Sequence, residues 1–253
     1  MQAWNVLLKT TYAERAGIGR ATLTNSRPVL KEFESWTTNP MIKYDNRELL
    51  RAWNLFNNAG VTTDVFEFDL VNVVRQVLGN YFKSVRDQFT DAYEKKDIPR
   101  LKDKAKEMIG LLYDMDTILA SNKNSLVGDW IASAMALGTS TAEKKYYEKD
   151  ARKIVTVWGQ KGRHLVDYAN RSWGGLMRTY YGERWKLFTQ EVIEDVSNHK
   201  PFDEPGFSAR IKDFEENWAE GNNQFPVSPK GSSLAISRLL YKKYAGRIGE
   251  GSP

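Results

Sequence analysis

The sequence predicts an all-α fold, an antiparallel helical bundle of about eight or nine helices. Apolar residues recur at steps of three and four through most of the 253 residues, and this spacing places them on one face of an α-helix. Apolar alternation with a period of two, which is typical of half-buried strands, persists nowhere in the chain. Because each periodic stretch has one apolar face, we expect the helices to bury these faces against one another.

The N-terminal part predicts two short helices joined by a loop. Residues 3–12 and 52–58 share an Ala-Trp-Asn-aliphatic phrase and read as similar packing helices. Two copies are too few for a solenoid, which needs three or more stacked repeats. Residues 17–40 are rich in Gly, Thr, Asn and Ser, so we expect an extended loop that Phe33 and Trp36 hold against the body.

Two long helices and one short helix are predicted next. The helix that begins after Thr63 carries a stripe of Phe, Leu and Val residues, and such a stripe is typical of bundle core rather than of a cofactor site. Pro99 begins the following helix, which extends to Leu119. Residues 126–137 form the short helix, which carries Trp130.

Residues 143–188 are the aromatic centre of the sequence, with three of the eight tryptophans and five of the twelve tyrosines. Ser140 and Glu143 match a capping box, in which the hydroxyl and the carboxylate satisfy backbone N–H groups of the first turn. The helix that begins there is expected to extend to Trp158. The glycines within residues 159–164 favour a break in the helical pattern, and this break places Trp158 at a helix end near a surface.

Apolar residues at helical spacing after the break predict one near-continuous helix over residues 165–198. Tyr168 and Trp158 then flank the same loop. Two further helices are predicted over residues 207–218 and 234–244, after prolines that end the preceding segments.

The whole chain is predicted to be one helical domain, with residues 1–60 as a loop-rich N-terminal part and residues 61–250 as the main bundle. It begins inside a helical pattern and shows no targeting signal, so we expect it to be a piece of a longer polypeptide. A partner surface lost in this way would leave an apolar patch exposed on one side.

Composition argues against several classes of protein. Hydrophobic residues at 41% and charged residues at 27% are ordinary for a globular chain, and no apolar window is long enough to span a membrane. Cysteine is absent, so disulfides and thiolate chemistry are excluded. The net charge of +5 comes mostly from residues 230–250, where cations near a helix C-terminus suit the helix dipole better than a nucleic-acid surface.

No metal, cofactor or nucleophile motif is recognisable in the sequence. His164 and His199 lie far apart, and no familiar metal-ligand spacing includes them. Asp114 and Asp116 are two residues apart on a predicted helix, so they do not face each other. A serine elbow and a phosphate loop are both absent. We therefore assign neither a metal site nor a cofactor.

The aromatic residues near Trp158 suit a carbohydrate ligand. The faces of sugar rings carry C–H groups that pack on indole and phenol rings, while Tyr, Arg and Asn side chains bond the sugar hydroxyls. The loop and its flanks offer both kinds of group. On spacing alone, the simpler interpretation is that Trp158, Tyr168 and Trp173 pack between helices.

Four phrases closely resemble the C-terminal all-helical domain of the α-N-acetylglucosaminidases, glycoside hydrolase family 89. They are E-x-x-x-Y-E at residues 143–148, V-T-V-W-G at 155–159, D-Y-A-N at 167–170 and Y-Y-x-x-R-W at 180–185. The two Ala-Trp helices also match, so the resemblance covers nearly the whole chain. Each phrase alone would be weak, whereas the combination is specific.

The resemblance implies an exo-acting, retaining enzyme, exported or lysosomal, that removes terminal α-linked N-acetylglucosamine. Its two catalytic glutamates belong to a (β/α)8 barrel that precedes the helical domain, and this barrel is the implied partner because the helical domain packs on it and helps to wall the sugar pocket. The residues carried over are Trp158 and Tyr168, with His164 or Leu165 of the intervening loop also facing the pocket. The chain alone is then expected to lack the catalytic residues and to be inactive.

Two other functions stay open from the sequence. One is a free-standing helical module that binds glycans or another protein without catalysis, and the other is a basic nucleic-acid binder. A barrel encoded upstream would favour the glycosidase domain. An affinity that does not respond to salt would remove the nucleic-acid function.

Overall fold

The computed structural model describes residues 1–13, 21–30, 42–158 and 166–250. Nine α-helices and no β-strand lie within these ranges, so the all-α prediction is confirmed. Leu126 and Gly174 form an isolated β-bridge. The helices are α1 (Gln2–Lys9), α2 (Asn46–Asn57), α3 (Asp64–Glu94), α4 (Ile98–Leu119), α5 (Val127–Met135), α6 (Thr141–Ile154), α7 (Glu183–Ser197), α8 (Glu204–Glu220) and α9 (Ser233–Glu250). None of the described helices has an apolar stretch long enough to cross a membrane.

The antiparallel pair α3 and α4 forms the centre of the bundle. Each helix has a start that its sequence encodes. Thr63 caps α3 by accepting the Phe66 N–H at 3.3 Å, and Asp97 caps α4 by accepting the Arg100 N–H at 3.0 Å. Helix α7 packs on α4, while α2 and α9 pack on α3. The predicted helix starts after Thr63 and near Pro99 are therefore confirmed.

The two Ala-Trp helices occupy different environments. Trp53 on α2 is fully buried and donates its indole N–H to the Ser237 Oγ on α9 at 2.7 Å. Trp4 on α1 is 40% exposed and stacks on Tyr12, with 6.1 Å between the ring centroids. The repeated phrase thus gives one core helix and one edge helix.

The prediction of one near-continuous helix over residues 165–198 is wrong in its N-terminal part. Residues 166–175 form turns and extended backbone, and helical structure begins at Leu176 and continues through a π-helical turn into α7. The helix before the break is also shorter than predicted, because α6 ends at Ile154 rather than at Trp158.

Backbone hydrogen bonds to another segment interrupt the predicted helix. The Gly174 N–H donates to the Ser125 carbonyl at 2.7 Å, and the Gly174 carbonyl accepts from the Val127 N–H at 3.2 Å. Gly175 has a left-handed φ of 88°, and a Cβ on Gly174 would lie 2.7 Å from the Cα of Ala120, so both positions require glycine. These contacts hold the segment extended, although its apolar residues keep a helix-like spacing.

Residues 21–30 are the described part of the predicted N-terminal loop. They are mostly buried and contain one 3-10 turn, Leu23–Asn25. Phe33 and Trp36, which were predicted to hold this loop, lie outside the described residues. One cluster of buried apolar side chains extends from α1 to α9, and the division of the chain at residue 60 stays a prediction.

Candidate functional site

Two of the predicted site residues, Trp158 and Tyr168, form an aromatic pair. Their ring centroids lie 4.6 Å apart with 60° between the ring planes, which is close to an edge-to-face arrangement. Tyr168 is 46% exposed and Trp158 is partly exposed. The other two predicted residues, His164 and Leu165, lie outside the described residues. The structure therefore brings the two flanks of the loop together and presents two contacting rings at the surface.

The backbone beneath the aromatic pair has an unusual conformation on both flanks. Trp158 and Asp167 have left-handed φ values of 53° and 62°, and this region is uncommon for residues other than glycine. The Trp158 N–H donates to the Lys153 carbonyl at 2.6 Å, and the Asp167 N–H donates to the Thr156 carbonyl at 2.8 Å. The second bond joins the two flanks, so the backbone segments that carry the two rings are held together.

A charged network of Arg27, Asp167, Arg184 and Glu215 begins at the residue before Tyr168. The Arg184 Nη1 donates to the Asp167 Oδ2 and to the Glu215 Oε1, both at 2.9 Å, and the Arg27 Nε donates to the Glu215 Oε1 at 2.9 Å. Asp167 is 4% exposed, Arg184 0% and Glu215 1%. The charged network thus connects the loop flank to α7, to α8 and to the buried segment at residues 21–30.

Further contacts fix the guanidinium of Arg184. Its Nη2 donates to the Asn25 carbonyl at 2.8 Å, and its Cζ lies 4.5 Å from the ring centroid of Tyr180 and 5.1 Å from that of Tyr181. The Asn25 Nδ2 also donates to the Asn170 Oδ1 at 3.0 Å. Asn25 therefore bridges the D-Y-A-N and Y-Y-x-x-R-W phrases, which the Asp167–Arg184 pair also joins directly.

The two carboxylates of the charged network have opposite pKa shifts. Burial raises the pKa of Asp167 from 3.8 to about 6, because desolvation and the charge of Glu215 outweigh the attraction of Arg184 and Arg27. Burial also favours a higher pKa for Glu215, but hydrogen bonds and charges from Arg27 and Arg184 outweigh this effect. The pKa of Glu215 is therefore lowered.

We expect ionisation of Asp167 to destabilise the fold as the pH rises. A folded-state pKa above the ordinary value means that the folded protein binds this proton more tightly than the unfolded chain does. The contribution of Asp167 to the free energy of unfolding therefore falls as the pH rises from about 4 to about 6, by at most about 1.4 kcal/mol per pH unit. Asp167→Asn cannot titrate, so its stability relative to wild type should improve as the pH is raised.

Chemical denaturation of both proteins between about pH 5 and pH 7 measures this difference, because the lowered pKa of Glu215 keeps that group ionised in the folded state throughout this range. A stability difference between the two proteins that does not change with pH would contradict the raised pKa of Asp167.

Sequence reasoning missed the charged network. Arg184 lies between Glu183 and Trp185, close to Tyr180 and Tyr181, and these aromatic neighbours were a signal for a buried arginine. Arg27 and Glu215 carry no comparable local signal, since each resembles an ordinary surface charge in sequence. Their pairing depends on contacts across more than 180 positions, with Arg27 and Glu215 separated by 188.

Asp114 and Asp116 have separate structural partners. Asp114 accepts hydrogen bonds from the Tyr244 hydroxyl and the Lys243 ammonium on α9. The Asp116 Oδ1 accepts two backbone N–H bonds from the turn that begins the helical structure before α7. Across the described ranges, no group of three or more metal-ligating side chains is found.

A surface groove lies next to the D-Y-A-N phrase. It consists of two adjoining cavities of about 340 and 360 Å³ that share Phe68, Asn72 and Arg75. Trp4 and Tyr12 line one end, and residues 170–173 line the other. Burial lowers the pKa of Arg75, which makes no hydrogen bond or ion pair within the described part of the chain.

The sequence matches the family described as Alpha-N-acetylglucosaminidase (NAGLU) C-terminal domain over residues 1–243. The chain belongs to this family. Human Alpha-N-acetylglucosaminidase is 29% identical over 255 residues, and the match covers 99% of this chain and 34% of the human protein. The resemblance found in the sequence phrases is thereby confirmed.

Two solved structures of a family 89 glycoside hydrolase from Clostridium perfringens have the same fold. The complex with PUGNAc superposes with a TM-score of 0.85 at 24% identity and covers 96% of this chain and 29% of that chain. The complex with GlcNAc-α-1,4-galactose, described as the substrate of that enzyme, gives 0.86 at 22% identity and covers 98% and 30%. This NAGLU C-terminal domain therefore spans about a third of the length of each of these relatives.

Proposed function

We propose that this chain is the accessory helical domain of an exo-acting, retaining α-N-acetylglucosaminidase. It packs on the catalytic barrel and helps to wall the pocket for terminal α-linked N-acetylglucosamine. The observation that carries the proposal is the Trp158–Tyr168 pair, two contacting and partly exposed rings on a left-handed backbone. Rings that served only to pack helices would be buried, as Trp53 and Trp185 are.

The aromatic pair offers the two kinds of contact that a sugar requires. An indole or phenol face packs on the C–H groups of the sugar ring, and the phenol hydroxyl bonds the polar edge. The bacterial relative was solved with GlcNAc-α-1,4-galactose, so a terminal α-linked N-acetylglucosamine is the proposed ligand. His164 and Leu165 belong to the loop between Trp158 and Tyr168, and we propose from the resemblance that one of them faces the same pocket.

The catalytic barrel of the same polypeptide is the proposed partner for the groove face. Trp4, Tyr12 and Phe68 are 40%, 64% and 39% exposed there, and Arg75 adds a guanidinium without an acidic partner among the described residues. An apolar surface that also carries such a cation suits an interface that supplies a carboxylate. The groove also adjoins residues 170–173, so contact there would bring the barrel close to the aromatic pair.

Trp158→Ala and Tyr168→Phe in the intact polypeptide are expected to lower kcat/KM by about tenfold or more, since each tenfold corresponds to about 1.4 kcal/mol of lost transition-state binding. Steady-state kinetics on an aryl α-N-acetylglucosaminide measures the effect, and thermal denaturation measures stability alongside. Tyr146→Phe is the matched control, because Tyr146 is a 66% exposed tyrosine on α6 outside the pair.

Unchanged kinetics at unchanged stability would reject the pocket role of the aromatic pair. Variants that melt much earlier than Tyr146→Phe would identify Trp158 and Tyr168 as core residues instead. Glycan binding without any catalytic partner would favour the free-standing binding module.

A further inference from the structure

The charged network buries charged groups between the loop flank, α7, α8 and residues 21–30. Three of its members, Asp167, Arg184 and Glu215, are almost fully buried. Desolvation of such groups offsets much of their attraction, so an ionic cluster is often no more stabilising than apolar residues of similar volume. In some proteins, buried polar or ionic groups instead select one arrangement of the segments that they join.

We propose that Arg184 is a positioning residue for the sugar pocket, which acts through Asp167 to hold Trp158 and Tyr168 in their binding geometry. Arg184 is fully buried, so it makes no contact with substrate itself. The inference rests on the proposed function, because it assigns to Arg184 the task of keeping the pocket wall in place.

The first step is the immobilisation of the guanidinium. Nitrogens of Arg184 bond the Asn25 carbonyl and the carboxylates of Glu215 and Asp167, and the rings of Tyr180 and Tyr181 cover its face. Contacts with separate segments fix both the position and the plane of the group. A planar donor set held in this way gives Asp167 a single favourable location.

The second step leads from Asp167 to the aromatic pair. The Asp167 side chain is anchored on Arg184, while its backbone N–H bonds the Thr156 carbonyl at 2.8 Å and its φ is 62°. Tyr168 is the next residue in the chain, and Trp158 follows Thr156 by two positions. A displaced Asp167 would therefore move both flanks of the loop and alter the 4.6 Å contact between the rings.

A comparison of Asp167→Asn with Glu215→Gln in the intact polypeptide distinguishes an effect on the position of the aromatic pair from an effect on the stability of the fold. Both residues are buried and both bond the same nitrogen of Arg184 at 2.9 Å, but only Asp167 belongs to the loop flank. We expect Asp167→Asn to raise KM by about tenfold or more, because small misplacements of a binding group have effects of this size. Glu215→Gln is expected to change KM by less than about threefold even where it lowers the melting temperature as much.

A second measurement reports on the environment of the Trp158 ring and does not depend on enzyme activity. In the 253-residue chain labelled with 5-fluorotryptophan, the fluorine resonance of Trp158 can be assigned from its loss in Trp158→Phe. Asp167→Asn and Arg184→Lys should shift or broaden this resonance, since lysine keeps the charge but cannot bond two carboxylates and the Asn25 carbonyl in one plane. Glu215→Gln should leave it unchanged.

The outcomes distinguish this inference from the proposed function. Equal effects of Asp167→Asn and Glu215→Gln on KM and on the Trp158 resonance would overturn positioning, because the charged network would then act on stability alone. If Trp158→Ala and Tyr168→Phe leave the kinetics unchanged, the pocket role fails. Positioning of the aromatic pair is then overturned as well if the Trp158 resonance does not move in Asp167→Asn and Arg184→Lys.

Discussion

Arg184→Met is expected to lower the free energy of unfolding of this domain by about 3–5 kcal/mol. Methionine has a comparable length but no charge, so Asp167 and Glu215 would be left buried without the guanidinium that both now share. Removal of one partner from a buried ionic cluster leaves uncompensated charge, and this is the reason that its effect exceeds the net stability of the cluster. Chemical denaturation of the wild-type and variant chains at neutral pH measures the loss.

Arg210→Met is the matched control for this prediction. Arg210 pairs with Glu191 across α8 and α7, but its side chain is 57% exposed. Exposed ion pairs contribute little, so the expected change is at most about 1 kcal/mol. Similar stability losses in the two variants, or wild-type stability in Arg184→Met, would contradict the anchoring role of the charged network.

The isolated 253-residue chain is expected to hydrolyse no aryl α-N-acetylglucosaminide, in contrast to the intact polypeptide. Retaining glycosidases need two carboxyl groups about 5 Å apart on either side of the scissile bond. The carboxylates of Asp167 and Glu215, which meet at Arg184 beside the loop, are 4% and 1% exposed and both bond Arg184. A glycosidic bond therefore cannot reach between them.

A sensitive chromogenic assay of the purified chain at high concentration tests this expectation, with the intact polypeptide as the positive control. Turnover that follows the chain through purification and disappears in Trp158→Ala would show that the chain carries its own catalytic groups. That result would reject the division of labour between a barrel and a helical domain.

Helix starts were predictable because their signals are local. The capping box of Ser140 and Glu143 is present as predicted, with the Glu143 N–H donating to the Ser140 Oγ and the Glu143 carboxylate accepting from the Ser140 N–H, both at 3.2 Å. The starts of α3 and α4 likewise depend on a cap and a proline within a few positions. Hydroxyl and carboxylate groups satisfy first-turn N–H groups wherever this spacing occurs, so no tertiary information is needed.

The segment before α7 was not predictable in the same way. Tyr168 and Trp173 keep a helix-like spacing, yet they lie in turns and extended backbone because Gly174 bonds Ser125 and Val127. Those partners are distant in sequence, so tertiary hydrogen bonds override the local periodicity. The left-handed conformation of Asp167 was equally hidden, since that residue is not a glycine.

The candidate site was also predictable from the sequence only where the signals are local. The positions of Trp158 and Tyr168 on the two flanks of one loop followed from the glycines between them, and the structure adds their ring contact. The charged network did not follow, because Arg27 meets Glu215, and Glu215 meets Arg184, through three-dimensional packing alone. His164 and Leu165 stay predictions.

The most direct measurement is an experimental structure of the intact polypeptide with N-acetylglucosamine bound. The proposed function predicts that the rings of Trp158 and Tyr168 contact the sugar, with the closest heavy atoms about 4 Å apart, and that Asp167 remains on Arg184. A sugar enclosed by barrel residues alone, with the aromatic pair facing away from it, would contradict the pocket role.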